Sequence, residues 1–418
     1  MAQGNATNPP PPLRGRMGGG WPVAIASITA LGQRGEGLVD VDGKRVFVPL
    51  TLPGETVEIT VEGERGVLVA IETPSPHRIA PFCPHFGPCG GCQLQHLDAE
   101  TYAAFKRGLV ETALSHAGIE TPVAPLVDAR GDGRRRITLH ARKAGAGFMG
   151  FHTHHLHDID RCPITVPALS AAADIARGVY AAVGDADVAL TATSTGVDAV
   201  VRAERRAKAE RLAPLIARFG LARLSLGDET ILQQQAPVVR MGDALVPIPP
   251  GSFLQATEAA ETILADLVAT GLKGAANVAD LFCGVGPFAL RLAARGKVYA
   301  ADSDKAAIAA LTRAHNTTRG LKPITAERRD LFREPLTAIE LNKFDGVVFD
   351  PPRAGAEAQA REIARSKVPV VVAVSCEPKT FARDAKILIG GGYRLDSVTP
   401  VDQFAFSTHV ELVGVFRR

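Results

Sequence analysis

The segment NVADLFCGVGPFALRLAARGKVYAADSD (residues 277–304) indicates which fold class the chain adopts. An apolar strand leads into a turn that contains Gly284 and Gly286, and Pro287 begins a helix, where its missing N–H costs nothing. A second apolar strand then ends at the acidic residue Asp302. This order is typical of a doubly wound α/β sheet that holds an adenosine-containing ligand.

The turn also indicates which ligand is bound. Its sequence is C-G-V-G-P-F, without the third glycine of the G-x-G-x-x-G pattern that cradles a pyrophosphate. An adenosyl ligand without a pyrophosphate does not need that cradle, so the sequence favours S-adenosylmethionine over NAD. A turn with a purely structural role stays the alternative.

Two further apolar strands end in polar residues. FDGVVFDPPRAG (344–355) places Asp350 at the end of one strand, and VPVVVAVSCEPKT (368–380) places Cys376 at the end of another. Ligands bind outside the carboxyl ends of parallel strands. We therefore expect one crevice to be lined by Asp280, Asp302, Asp350 and Cys376.

Length and composition set the wider limits. The 418 residues predict two or three domains, and 47 basic against 44 acidic residues (net charge +3) neither demand nor exclude a nucleic-acid partner. No run of 18 apolar residues appears, so no membrane span is expected. Residues 1–20 are rich in Pro and Gly and predict a disordered lead-in without a secretory signal. A cytoplasmic location follows, where cysteines serve as ligands or reactive thiols.

Three domains are expected after this lead-in. Residues 21–73 contain short β-rich runs between Gly-containing turns and predict a small five-stranded, OB-like (TRAM-type) barrel. Such barrels often bind oligonucleotides, although a barrel that only packs on its neighbour is the alternative. Residues 74–250 predict an α+β central domain that carries most of the cysteines, and residues 251–418 a Rossmann-like domain. The basic run 134–136 suits a solvated face and a phosphate-binding strand equally well.

Cys376 and Glu411 suit a reaction at C5 of a uracil. That carbon is a poor nucleophile until a thiolate adds to C6, and a base must later remove the C5 proton. Cys376 fits the thiolate, provided that its surroundings activate it, and an inert buried thiol is the alternative. Glu411 lies in the apolar alternation of VDQFAFSTHVELVGVFRR (401–418) and fits the base, with a solvated strand residue as the alternative.

Four motifs together resemble a known family. In chain order they are DLFCGVGPF (280–288), DPPRAG (350–355), VSCEPKT (374–380) and FSTHVE (406–411). Their order and spacing are similar to those of the RNA uracil-5-methyltransferases, and the resemblance runs from about residue 20 to the C-terminus.

The resemblance implies roles for individual residues. Cys376 would be the nucleophile, Glu411 the base that removes the C5 proton, and Asp350 a contact to the target base or cofactor. The predicted contacts to S-adenosylmethionine are Gln255, Phe282, Gly284, Asp302, Asp330 and Asp350. Three positions depart from the family pattern: Glu377 for Asn, Ala373 for Tyr, and Ala405-Phe406 for Pro-Gln.

The remaining cysteines predict a metal centre. CPHFGPCGGC (83–92) and RCPI (161–164) supply four thiols, namely Cys83, Cys89, Cys92 and Cys162. Four thiolates suit [4Fe–4S] or zinc, and resemblance to the 23S rRNA subgroup, which has an N-terminal barrel and this cysteine pattern, favours the iron–sulfur cluster. The histidines of GFHTHHLHDID (150–160) predict a surface loop, and Cys283 a small packing residue.

Three functions are therefore weighed. The first is methylation of uracil C5 in RNA, most simply 23S rRNA, with tRNA as the alternative substrate. The second is methylation of an exocyclic amine or of cytosine C5, against which Arg353 after Asp350-Pro351-Pro352 argues, because amine methyltransferases have an aromatic residue there. The third is a non-catalytic RNA-binding iron–sulfur protein on a degenerate methyltransferase scaffold. No membrane and no obligate protein partner is expected.

Overall fold

The computed structural model of the chain describes residues 23–151, 153–203 and 209–418, so the predicted lead-in 1–20 lies outside the described residues. The chain forms two compact units. The first comprises the described part of Met1–Lys106 with Gly147–Pro163 and Ala405–Thr408, and the second comprises Arg107–Ala146, Ile164–Phe404 and His409–Arg418. The domain boundaries predicted from the sequence (21–73, 74–250 and 251–418) stay predictions.

The first unit contains a six-stranded sheet in the order β1-β5-β6-β4-β3-β2. Its strands are β1 (Val23–Ser27), β2 (Ala30–Leu31), β3 (Gly37–Val41), β4 (Lys44–Val48), β5 (Thr56–Glu62) and β6 (Arg65–Thr73). Only Ile28 and Thr29 separate β1 from β2, so the two edges of the sheet belong to one bent stretch of chain. The sheet packs around a small apolar core: Ile28, Val39, Val46, Val48, Val57 and Ile59. It has six strands, one more than the five predicted, because the chain bends between β1 and β2.

The next elements lead into the second unit. They are α1 (Ala99–His116), β7 (Val127–Asp128), β8 (Arg136–Arg142), β9 (Gly145–Met149) and β10 (Leu156–Asp158). Asp98 caps α1, because its Oδ1 accepts a 2.8 Å hydrogen bond from the backbone N–H of Thr101. β9 and β10 pair antiparallel through residues of the first unit.

A mostly antiparallel sheet forms the middle of the second unit, in the order β8-β11-β12-β13-β14. The elements after β10 are α2 (Ala172–Val183), β11 (Ala186–Thr193), β12 (Gly196–Ala203), α3 (Ala213–Phe219), β13 (Leu221–Leu226), β14 (Glu229–Gln233), β15 (Val238–Met241) and β16 (Ala244–Pro247). Short 3₁₀ turns occupy Pro167–Leu169 and Ala209–Arg211. Only β12 and β13 run parallel in this series.

The rest of the second unit alternates helices and strands. The elements are α4 (Glu258–Gly271), β17 (Asn277–Leu281), α5 (Ala289–Leu292), β18 (Lys297–Asp302), α6 (Lys305–Thr317), β19 (Ile324–Arg328), α7 (Ala338–Leu341), β20 (Gly346–Phe349), α8 (Glu357–Arg365), β21 (Val370–Ser375), α9 (Pro378–Gly390), β22 (Arg394–Asp402) and β23 (Glu411–Arg417). The sheet order is β19-β18-β17-β20-β21-β23-β22-β7. This is the Rossmann-like α/β fold predicted for the C-terminal part.

The strand order creates a crevice at a defined place. The chain steps outward from β17 to β19 and then returns to β20 beside β17, which makes the β17–β20 boundary a topological switch point. Every residue of β20 and β21 is buried, as expected for parallel strands covered by helices on both faces. Among the described residues, no helix is both long and apolar enough to cross a lipid bilayer.

The second unit also contains a buried ionic contact that predicts a stability change. Glu261 of α4 accepts hydrogen bonds from Arg135 Nη2 at 2.6 Å and from Arg291 Nη1 at 3.0 Å. Replacing Glu261 with Ala leaves the buried Arg135 guanidinium without its counter-charge, so we expect the free energy of unfolding to fall by about 3–5 kcal/mol. Urea denaturation measures this, with the exposed Glu258→Ala as the control. A loss under about 1 kcal/mol would contradict the structural role.

Candidate active site

Two neighbouring strands bring Cys376 and Glu411 together. β21 ends one residue before Cys376, and β23 begins at Glu411. The strands run antiparallel with Ser375 opposite Leu412, so the next step of this register places Cys376 opposite Glu411. Directly opposed residues have Cβ atoms about 5 Å apart. Two residues that lie 35 positions apart in the chain thus become neighbours.

A chain of amide hydrogen bonds joins Asp350 to Glu411. Gln255 Nε2 donates to Asp350 Oδ2 at 3.1 Å. Gln403 Nε2 donates both to Gln255 Oε1 and to Glu411 Oε2, each at 2.6 Å. Gln403 Oε1 accepts from the backbone N–H of Ala256 at 2.7 Å, so both ends of this amide are bonded. Gln403 is fully buried and was not predicted as a site residue, although an amide in an apolar run is a signal for one.

The two carboxyl groups hold protons more strongly than carboxyl groups in water. Burial raises the pKa of Glu411 well above its usual range, the charge of Asp350 adds to this rise, and the Gln403 hydrogen bond opposes it. Burial likewise raises the pKa of Asp350, against the opposing Gln255 hydrogen bond. The state in which Asp350 and Glu411 together carry one proton is therefore lower in free energy than the state in which both carboxyl groups are ionised.

Cys376 is also held in its protonated form in the substrate-free protein. Burial, followed by the negative charges of Glu411 and Asp350, raises the pKa of its thiol to about 11. The guanidinium of Arg353 opposes this rise. The sequence analysis expected local activation of this thiol, whereas the substrate-free site shifts its pKa the other way, because burial first and then the neighbouring carboxylates outweigh the one cation.

Arg353 and Glu377 have defined contacts near Cys376. Arg353 Nη2 lies 3.1 Å from His409 Nε2. Glu377, which replaces the family's Asn, caps α9 by accepting from the backbone N–H of Lys379. A carboxylate serves there as well as an amide, because both offer an oxygen to the first turn of the helix.

The glycine turn after β17 is shaped by positive φ angles. Phe282 has a φ of 63°, Gly284 of 52° and Gly286 of 91°. A Cβ on Gly286 would lie 2.4 Å from Leu311 Cδ1, so α6 packs directly on this turn. The N–H of Gly284 donates to Asp302 Oδ2 at 2.9 Å, which ties the turn to the end of β18.

Two residues predicted to bind the cofactor, Phe282 and Asp330, are linked through Phe332. The rings of Phe282 and Phe332 are 5.3 Å apart, and the N–H of Phe332 donates to Asp330 Oδ1 at 3.1 Å. Asp280, by contrast, is fully buried, and a backbone hydrogen bond from Ala289 favours its ionised form. Burial raises its pKa well above the usual range, and nearby Asp350 and Asp302 add to this. The structure thus groups all the predicted cofactor residues in the second unit.

The four cysteines of the predicted metal centre lie within electrostatic reach of one another in the first unit. Burial raises the pKa of the Cys92 thiol to about 12, and the charges of Cys162, Cys89 and Cys83 add to the rise. In the described ranges, however, no three His, Cys, Asp or Glu side chains are arranged to hold a metal ion. The predicted iron–sulfur cluster therefore stays a prediction.

The histidine-rich segment has mixed surroundings. His154 and His155 are exposed, as a surface loop requires, whereas His152 lies outside the described residues. His157 Nε2 lies 3.3 Å from His85 Nδ1, and His85 Nε2 lies 2.7 Å from Asp160 Oδ1. Cys283 is buried, in agreement with its predicted packing role.

The α/β fold with a thiol and carboxylates at its strand ends has the groups of a group-transfer enzyme, and comparisons with known proteins identify the family. The sequence model of the tRNA (Uracil-5-)-methyltransferase family matches residues 211–418. An RNA methyltransferase of Mesorhizobium japonicum is 47% identical over 401 residues, which are 93% of this chain and 97% of the relative. The 23S rRNA (uracil(1939)-C(5))-methyltransferase of Halomonas elongata is 34% identical over 92% of this chain and 87% of its own length.

Among solved structures, the Pyrococcus abyssi tRNA (uracil-54, C5)-methyltransferase in complex with S-adenosyl-L-homocysteine matches with a TM-score of 0.76 and 25% identity. The match covers 94% of this chain and 99% of that one. The chain belongs to the RNA uracil-5-methyltransferase family and is an RNA methyltransferase. The resemblance drawn from the four motifs is thereby confirmed.

The raised pKa of Cys376 predicts how this thiol reacts with iodoacetamide. Because the thiolate is the reactive form, the alkylation rate should rise about tenfold per pH unit from pH 7 towards pH 10. Glu411→Gln removes the largest nearby negative charge and should speed alkylation at pH 8 by about tenfold. Mass spectrometry of the peptide containing Cys376 measures both, with Glu357→Gln as the control. A rate that is flat above pH 8 would show that the thiol is already ionised.

Proposed function

We propose that the chain transfers a methyl group from S-adenosylmethionine to C5 of a uracil in RNA, through a covalent bond between Cys376 Sγ and C6 of the base. The observation that carries this proposal is the pairing of Cys376 with Glu411 across β21 and β23, with Asp350 joined to Glu411 through two amides. A nucleophile and a base on opposite sides of one small site are what the reaction requires.

The residues act in a fixed order. Cys376 loses its proton and its sulfur adds to C6, which moves the C5–C6 π electrons towards O4 and leaves carbanion character at C5. C5 would then form its bond to the methyl carbon as the bond between that carbon and the donor's sulfonium sulfur breaks, and its electron pair would stay on the sulfur of the S-adenosylhomocysteine that leaves. Glu411, as a carboxylate, takes the proton from C5, the C6–S bond breaks, and the C5–C6 double bond is restored. The net change replaces one C5 hydrogen by a methyl group and releases one proton.

Gln403 acts as a positioning residue in this scheme. Its amide donates to Glu411 Oε2, which favours the ionised form that the proton transfer needs. The same nitrogen donates to Gln255, whose own amide nitrogen is bonded to Asp350. The two carboxyl groups are thus held at a fixed separation, and neither can turn away without leaving a buried amide unpaired.

The turn after β17 fits the methyl donor. S-adenosylmethionine supplies a methyl group on a positively charged sulfonium. Asp302 lies at the end of the second strand, where an acidic residue binds ribose hydroxyls in this fold class. Asp280 contributes a fully buried carboxyl group at the end of β17, which suits a cationic ligand group. Phe282 and Phe332 offer apolar faces beside the turn.

The RNA substrate is proposed to be 23S rRNA, because the Halomonas elongata relative is a 23S rRNA enzyme and matches along most of both chains. The six-stranded sheet of residues 23–73 is proposed to be an OB-like barrel that binds RNA, as such barrels commonly do. A tRNA substrate is the alternative, which the Pyrococcus abyssi structure supports. Either RNA substrate predicts a cytoplasmic location for the enzyme.

Cys83, Cys89, Cys92 and Cys162 are proposed to bind a [4Fe–4S] cluster. The donor set fits, because four thiols lie within electrostatic reach of one another. Gln95 offers further support: its Oε1 accepts from the backbone N–H of Cys83 at 3.2 Å, and its side chain also bonds to the thiol of Cys92. Such a contact orients a ligand sulfur.

RNA that carries 5-fluorouridine tests the covalent step. Fluorine cannot leave C5 as a proton does, so the wild-type protein with S-adenosylmethionine should form a stable RNA adduct that migrates slowly on a denaturing gel. Cys376→Ala should form none. Glu411→Gln should accumulate an adduct even with ordinary uridine, because addition proceeds while proton removal is slowed about 10²–10⁴-fold.

The substrate and control for this experiment follow from the proposal. The RNA is 23S rRNA or tRNA transcribed with 5-fluorouridine, and Cys283→Ala is the control because that thiol is packed in the core. An adduct that forms with tRNA and not with 23S rRNA would identify tRNA as the substrate. An adduct that survives in Cys376→Ala would refute the nucleophile.

Metal analysis tests the cluster. Protein purified without oxygen should be brown and contain about four iron atoms and four sulfides per chain. Cys162→Ala should lose most of the iron, whereas Cys283→Ala should keep it. A colourless protein with one zinc atom would favour the tetrahedral alternative, and one with neither metal would end the proposal.

A further inference from the structure

A basic and aromatic patch occupies part of the second unit. It consists of three guanidinium groups and one ring, Arg134, Arg136, Arg202 and Phe253, and is called the arginine–phenylalanine patch below. The guanidinium carbon of Arg136 lies 5.6 Å from the centre of the Phe253 ring. Phe253 itself is 69% exposed. A large ring kept in water under a cation contributes little to the core, so another role is expected.

The patch is tied to the candidate active site through the backbone. Arg136 Nη1 donates to the carbonyl of Leu254 at 3.1 Å, and Arg135 Nε donates to the carbonyl of Gln255 at 3.1 Å. The side chain of Gln255 bonds to Asp350. Because Phe253 lies only two residues before Gln255, their Cα atoms are at most about 7 Å apart. The backbone that carries the exposed ring therefore lies beside a side chain of the candidate active site.

The carboxylate whose charge acts on Arg136, Asp198, is already bound by Arg223 through two hydrogen bonds. Burial and then the charges of Arg135, Arg134 and Arg202 lower the pKa of Arg136 to about 10. Arg135 is paired with Glu261, but no carboxylate of a described residue lies within 4 Å of a patch guanidinium. Arg134 Nε is buried and lacks a hydrogen-bond partner within the described ranges. Crowded like charges favour a polyanionic partner.

We propose that the arginine–phenylalanine patch binds the single-stranded RNA beside the target uracil, with phosphates on the guanidinium groups and one base stacked on Phe253. The inference rests on the proposed function and adds the contact that holds the neighbouring nucleotide. Stacking on an aromatic side chain requires an unstacked base, which a single strand offers and a duplex does not. The same contact would hold the strand while the target base occupies the site of Cys376.

Binding of a fluorescein-labelled oligouridylate, followed by anisotropy over a series of salt concentrations, tests this. Arg134→Gln and Arg202→Gln should each reduce the slope of log Kd against log salt by about 0.7, because one phosphate contact is lost. Phe253→Ala should weaken binding roughly 5- to 100-fold at fixed salt without changing the slope. Phe253→Tyr should bind like the wild type, because it keeps the π face.

Arg313→Gln is the matched control, since Arg313 is an exposed arginine of α6 outside the patch. An equal effect of this variant on the slope would overturn the proposal, as would Phe253→Ala binding within twofold of wild type. Failure of the wild type to bind oligouridylate at low salt would also overturn it. A parallel adduct assay with 5-fluorouridine distinguishes the RNA-binding role of the patch from the proposed function. If the patch variants form a normal adduct and bind RNA like the wild type, only the role of the patch is refuted. If the wild type forms no adduct, the proposed function is refuted.

Discussion

The antiparallel pairing of β23 with β21 is the constraint on which the candidate site depends. It turns the end of one strand and the start of another into neighbours, so that Glu411 lies opposite Cys376. A slip of one residue would send Glu411 to the other face of the sheet. Packing prevents the slip: Gly414 lies under Phe381 of α9, where a Cβ would meet the Phe381 ring at 2.5 Å. Any other register would place a side chain in that space. A glycine far from the chemistry thus contributes to the geometry of the site.

The parallel part of the same sheet positions the other groups. β18, β17, β20 and β21 run in one direction, so their carboxyl ends meet at one edge, on either side of the switch point between β17 and β20. The helices that cover both faces bury β20 and β21 completely, which fixes where each strand ends. Asp350 and Cys376 follow those ends by one residue, and their positions are therefore a property of the whole sheet rather than of local loops.

The sequence was sufficient for the features that depend on local pattern. Apolar strands that end in polar residues predicted the α/β fold, and the four motifs predicted the family. Features that depend on contacts between distant residues were not accessible. Gln403 reaches Gln255 across 148 positions of the chain, and no local pattern shows which acceptors a buried amide will find. The direction of the Cys376 pKa shift was not accessible for the same reason, since it depends on how far the thiol is buried and then on carboxylates from two other strands.

The charges around Cys376 imply that its reactivity is confined to the complex with substrate. In the free site, burial and two carboxylates favour the thiol, and Arg353 provides the opposing positive charge. A protonated thiol reacts slowly with oxidants and alkylating agents. In the proposed mechanism, addition to C6 of a bound uracil moves the negative charge from sulfur towards O4 of the base, and thiolate formation becomes part of the addition step. Under that proposal, the raised pKa of the thiol in the free protein protects Cys376 until the base is bound.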